Sequence, residues 1–243
     1  MNERKKLLIL HGWGSNSQRW QKVKEILEKS GIEVLVLDLP GFGVTPPPAK
    51  AWKRDDYINW ILQRIKKKEW KNFNLLGHSF GGGLAVKMSA DPILSKKRII
   101  KKLILCAPAV IKRKSIKTFL FYWTAFIGKK ILSLPILKMF YPFAQRLIYK
   151  LAGTRDYYIA KGVMKETMKK LSEENLEELL EKIKTPTLII WGRKDNVLPI
   201  KDAFRIKEKI KNSELKIIKE ARHSPHRETP EKLSKIIIKF LCD

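Results

Sequence analysis

Short, almost continuously apolar runs return along this chain at intervals that leave room for one helix between them. Residues 7–10, 34–37, 73–76 and 103–106 are such runs in the first half, and 187–191 and 215–218 follow near the end. A strand that is apolar at consecutive positions buries both faces, as strands do in a parallel sheet with helices on either side. The intervening segments supply those helices. Ser17 can cap one that runs to about residue 29, and Asp55 or Asp56 starts another whose apolar face is Tyr57, Ile58, Ile61, Leu62 and Ile65. Further helices are expected over about 79–90, 200–211 and 230–241. Repeated strand–helix–strand units of this kind predict an α/β fold with a mostly parallel, doubly wound sheet.

The alternation stops after Pro108 and resumes at Thr187. Residues 111–182 read as helices without a clear strand. The sequence therefore divides into an α/β core, 1–110 plus 183–243, and a helical cap, 111–182, inserted between two strands of one sheet. With 243 residues, such a core needs no disulfides. The two cysteines, Cys106 and Cys242, form no C-x-x-C pair, which argues against a thiolate metal site or a redox motif. The apolar run at 7–10 is shorter than the core of a signal peptide, and the longest uncharged aromatic-rich stretch, 118–128, is too short to span a bilayer. A cytoplasmic protein is expected.

One constellation carries chemistry. Gly77-His78-Ser79-Phe80-Gly81 fits G-x-S-x-G and falls where an expected strand ends and an expected helix begins. A sharp turn there exposes the serine hydroxyl at the edge of the sheet, and the helix start points free N–H groups at a developing oxyanion. A nucleophilic serine needs a base and the base needs an orienting acid. Of the four histidines, His11 and His78 sit in or beside the turns that shape the site, which leaves His223 and His226. For the acid, Asp195 lies just past the run 187–191, and Asp38 competes from the end of 34–37. The order Ser79, Asp195, then histidine is the one that accompanies G-x-S-x-G in this architecture.

With these segments in view, the chain resembles the α/β-hydrolase family across nearly the whole core, and within it the small cap-bearing esterases, including methyl-ester hydrolases acting on carrier-bound acyl chains. His11-Gly12-Trp13-Gly14, Asp38-Leu39-Pro40-Gly41-Phe42-Gly43, Gly77-His78-Ser79-Phe80-Gly81-Gly82, Trp191-Gly192-Arg193-Lys194-Asp195 and Glu228-Thr229-Pro230-Glu231 carry the likeness. The resemblance implies oxyanion donors at the backbone N–H groups of Trp13 and Phe80. It selects His223 as the base through the E-x-P-E pattern downstream. Arg222 departs from the glycine common at its position. Serine in place of the aspartate nucleophile of dehalogenases and epoxide hydrolases implies acyl transfer. The expected activity is a serine hydrolase cleaving carboxylic esters of short to medium acyl chains through an acyl-enzyme, with no cofactor and no metal. A lactonase, a carbon–carbon bond hydrolase on the same triad, and a non-catalytic ligand-binding relative are the alternatives.

The formal net charge is +27, a balance found in binders of nucleic acid or anionic membranes. The basic residues are spread along the whole chain without a nucleic-acid motif, so no specific nucleic acid is expected and most of the charge reads as solvated surface. Residues 111–155 differ: they hold ten basic residues, no acidic ones and nine aromatics. Either these aromatics pack the helices onto the core, or they form an apolar lid over an acyl pocket with a basic rim. Such a rim would suit an anionic substrate, an acidic carrier protein or a membrane surface. Phe119, Tyr122, Trp123 and Phe126, with His11, are the candidate pocket residues beside a small-molecule ester.

Overall fold

In a computed structural model of the protein, residues 4–112 and 161–243 are described. Six parallel strands form one sheet: β1 (Lys6–Leu10), β2 (Glu33–Leu37), β3 (Phe73–His78), β4 (Ile100–Cys106), β5 (Thr187–Gly192) and β6 (Ser213–Ile218). Their order across the sheet is β2-β1-β3-β4-β5-β6. The central strand β3 pairs Leu7 to Leu10 with Asn74 to Gly77 on one side and reaches Cys106 from His78 on the other.

The apolar runs are nearly continuous because each strand feeds two cores. Leu8, Leu10 and Leu75 face the helices α2 (Arg54–Lys67) and α3 (Phe80–Ala90). Leu7, Ile9 and Leu76 face α1 (Gln21–Lys29), which contributes Val23 and Leu27, and the C-terminal helix, which contributes Leu233, Ile237 and Leu241. Each fully buried side chain of this size contributes about 1.5–3 kcal/mol of transfer free energy. Alternate residues therefore serve opposite faces, and a polar residue inside a run needs a partner or an exposed edge: Asn74 donates to the Lys6 carbonyl at 3.0 Å, and Lys216 lies exposed on the edge strand β6.

Between β3 and β5 run α3, the short α4 (Pro92–Lys96) and β4; α5 (Gly162–Glu173) and a 3-10 turn (Glu177–Lys182) then lead back to the sheet. Residues 113–160, most of the segment expected as a cap, lie outside the described residues. The returning part joins the core: Leu171, Leu176 and Leu180 belong to the same buried cluster as the sheet. After β5 come α6 (Lys201–Lys209), β6, the short α7 (Pro225–Glu228) and α8 (Pro230–Cys242). No helix among the described residues is long and apolar enough to cross a membrane.

Candidate active site

Because all strands are parallel, the loops after β1, β2, β3, β5 and β6 open at one edge of the sheet, and the residues singled out in the sequence sit on them. Ser79 is the single residue between β3 and α3. Its φ of 50° and ψ of −112° are strained for a residue with a β-carbon. Backbone bonds hold it there. Its N–H donates to the Cys106 carbonyl at 3.1 Å, and its carbonyl accepts from the N–H groups of Gly83 at 3.2 Å and Ala109 at 2.9 Å. The flanking glycines permit the turn: a β-carbon on Gly77 would collide with the Gly81 carbonyl, and one on Gly81 with the Leu10 carbonyl.

Ser79 Oγ lies 3.1 Å from His223 Nε2, and His223 Nδ1 lies 2.8 Å from Asp195 Oδ2. The Asp195 side chain is fully buried, whereas that of His223 is 16% exposed and within reach of a ligand. The second Asp195 oxygen, Oδ1, accepts the N–H groups of Val197 at 2.8 Å and Leu198 at 2.9 Å. These two amides decide which oxygen faces the imidazole. An ionised carboxylate only accepts, so Nδ1 carries the hydrogen and Nε2 turns its lone pair to the Ser79 hydroxyl. The loop carrying His223 is braced by Glu228, whose carboxylate accepts the N–H of Arg222 and that of Ser224 at 3.3 Å.

The competing residues serve elsewhere. Asp38 accepts the Ser17 N–H at 2.5 Å and the Val44 N–H at 3.0 Å, clasping the loop after β1 to the loop after β2. Burial alone would raise its pKa, but the Val44 and Ser17 amides outweigh it and hold the carboxyl below its ordinary value. Ser17 thus donates to Asp38 and does not cap; Asn16 accepts the Arg19 N–H and caps the 3-10 turn Ser17–Trp20 that precedes α1. His226 is buried and stacked on Trp20, centroids 4.2 Å apart and planes 3° from parallel. Burial first, then its neighbour His78, pushes its pKa down to about 2.

His11, expected on the pocket wall, is fully buried. Its Nε2 accepts the Leu39 N–H at 3.1 Å and its Nδ1–H donates to the Gly12 carbonyl at 2.8 Å. Burial lowers its pKa and keeps that neutral form. Phe119, Tyr122, Trp123 and Phe126 lie outside the described residues. A β-carbon on Gly12 would lie 3.2 Å from Ser79 Cβ, so the backbone at Gly12 and Trp13 passes directly beside the serine. The Trp13 ring meets Phe42 at 4.8 Å and Phe80 at 5.5 Å, and Phe80 meets Tyr57 at 5.3 Å. The half-buried rings of Trp13 and Phe42 thus rest on the buried rings of Phe80 and Tyr57, an apolar cluster beside Ser79 that no spacing in the sequence brings together. Among the described residues, no group of three or more His, Cys, Asp or Glu is placed to hold a metal ion.

The sequence model of the family Hydrolase_4, described as serine aminopeptidase, S33, matches residues 1–230. The chain belongs to the α/β-hydrolase family. It is 28% identical to the AB hydrolase superfamily protein YisY of Bacillus subtilis over 96% of this chain and 90% of that one. It is 26% identical to human monoacylglycerol lipase ABHD6, over 97% of this chain and 75% of the other. Among solved structures, an esterase from Exiguobacterium antarcticum superposes with a TM-score of 0.73 at 23% identity, covering 98% of this chain and 92% of its own. That last likeness concerns the fold, and an α/β-hydrolase sheet with its site at the C-terminal strand ends is what the six strands form.

Proposed function

We propose that this α/β-hydrolase is a serine esterase that cleaves carboxylic esters of short to medium acyl chains through an acyl-enzyme. The observation that carries the reading is the unbroken chain of contacts from Ser79 Oγ through His223 to Asp195, at 3.1 and 2.8 Å. Ser79 attacks the ester carbonyl while its proton passes to His223 Nε2. Asp195 holds the imidazole tautomer and stabilises the imidazolium. The backbone N–H groups of Trp13 and Phe80 flank the serine and stabilise the tetrahedral oxyanion, each by about 3 kcal/mol. Collapse expels the alcohol, which takes the proton from His223. Water then gives a proton to His223 and attacks the acyl-serine, and collapse releases the acid as His223 returns that proton to Ser79 Oγ.

The apolar rings of Trp13, Phe42 and Phe80 beside Ser79 favour an acyl chain over a charged group. The likeness to a monoacylglycerol lipase supports an oxygen ester as the bond cleaved. The test is hydrolysis of p-nitrophenyl acetate, butyrate and octanoate by the wild type and by Ser79→Ala, together with labelling by a fluorophosphonate probe. Turnover and labelling that are both lost in Ser79→Ala support the reading. Labelling that survives the substitution, or absence of ester turnover in the wild type, overturns it.

A further inference from the structure

His78 ends β3 and immediately precedes Ser79. Its side chain is buried, and its Nε2 lies 2.8 Å from the backbone carbonyl oxygen of His223. A carbonyl only accepts, so Nε2 carries the hydrogen. Burial, with His223 adding to it, pushes the pKa of His78 down to about 3, and the ring stays neutral in this form. Its orientation is fixed from both sides. The His226 ring packs edge-on against it at 4.8 Å and is itself stacked on Trp20. On another side lies Gly12, where a β-carbon would fall 2.9 Å from His78 Nδ1. The strand that carries His78 is buried at every position and central in the sheet.

His223, by contrast, sits on the loop between β6 and α7. Glu228 braces that loop from within, but this brace does not tie it to the strand that presents Ser79, 144 positions away in the chain. The bond from His78 ties the backbone of His223 to the strand that presents the serine. We propose that His78 is a positioning residue: its Nε2–H holds the His223 carbonyl and so keeps the imidazole within reach of both Ser79 and Asp195. The proposal rests on reading Ser79 and His223 as nucleophile and base. A misplacement of ~1 Å in such a contact is worth about 100-fold in rate.

The donor can be moved without changing polarity. Glutamine places its amide nitrogen near the position of Nε2, asparagine near that of Nδ1, and leucine offers no donor. The experiment measures p-nitrophenyl butyrate kinetics for His78→Gln, His78→Asn and His78→Leu, with thermal melts of each. Ser79→Ala and His223→Ala serve as controls. We expect kcat to fall about 100-fold in the Asn and Leu variants with KM within about twofold, and to recover to within about fivefold of wild type in Gln. Equal losses in Gln and Asn, a loss confined to KM, or no loss in Asn and Leu overturns the positioning role. Should Asn and Leu fail to fold, Gln decides alone: near-wild-type kcat supports the role, and a loss of about tenfold or more overturns it. Activity that survives in either control overturns the functional reading and the positioning role with it. Controls that behave, beside a flat His78 series, overturn the positioning role only.

Discussion

Asp195 makes the consequence of a single atom testable. Its Oδ1 must accept two amide hydrogens, from Val197 and Leu198. In Asp195→Asn the carboxamide oxygen takes that place, and the NH₂ group faces His223 Nδ1. Nδ1 must then accept, its hydrogen moves to Nε2, and the Ser79 hydroxyl loses its acceptor. We expect kcat on a p-nitrophenyl ester to drop by about 10⁴ with little change in KM. A variant within tenfold of wild type would remove Asp195 as the acid. His226→Phe keeps the stack on Trp20, and its kcat is expected within about threefold of wild type, since His226 reaches neither Ser79 nor Asp195. A severe loss in that variant would move the base three positions downstream. Ser79 and the candidates for its acid and base were legible in the sequence because each follows an apolar run, but the runs alone left His223 beside His226 and Asp195 beside Asp38, and it was the family resemblance that chose His223. The E-x-P-E pattern has a local cause: Glu228 accepts amides on both sides of His223. The Asp38 clasp and the His78 bond were not legible, because their partners lie 21 and 145 residues away.

At the level of elements, the strands were legible to within a few residues and their ends were not. Lys6, Glu33, Ser213 and Glu214 extend the strands by backbone pairing alone, which an apolar run cannot reveal. The short α4 was missed although Asp91-Pro92 announces it: the Asp91 carboxylate accepts the N–H groups of Ile93 and Leu94 at 2.9 Å, and Pro92 occupies the first turn. What no periodicity predicts is how the returning end of the insertion is fastened. Arg54 Nη1 donates to the Leu171 carbonyl at 2.5 Å, and its N–H to Glu174 Oε1 at 3.2 Å. Lys87 on α3 reaches Glu174 at 3.2 Å and Asp55 at 2.8 Å. Glu174 thus joins α5 to two core helices around a buried guanidinium. Removing it leaves Arg54 short of a charged partner, and a hydrogen-bonded charge of this kind contributes about 2 kcal/mol. Glu174→Ala is expected to lower the urea-unfolding free energy by about that amount. Glu177→Ala, which removes only a pair with the exposed Arg205, should change it by less than about 1 kcal/mol. Equal effects of the two substitutions would mean that the network does not fasten the segment.

Across the whole molecule, charge and histidine content pull in different directions. The net charge of +27 shaped no element, and several of its ion pairs, such as Lys232 with Glu220, are exposed and contribute little. All four histidines instead gather near Ser79, and three of them, His11, His78 and His226, are buried. Burial depresses each: His11 below 6.5, His78 to about 3 and His226 to about 2. Below pH 6.5 the unfolded chain takes up protons on these side chains while the folded chain does not. Their contribution to stability is therefore complete above pH 6.5 and is lost as the pH falls from there, toward about 3 for His78 and about 2 for His226. His78 and His226 can each contribute up to ~1.4 kcal/mol per pH unit in that window, against a total stability of about 5–15 kcal/mol. Urea-unfolding free energies measured at half-unit steps from pH 7.5 to 5 should fall steeply below 6.5, before most carboxylates protonate. His226→Phe removes one of these groups and should make the slope between pH 6 and 5 shallower by about 1 kcal/mol per pH unit. Parallel slopes in the two proteins would mean that His226 takes its proton equally well in both states, and the buried neutral stack on Trp20 would have to be abandoned.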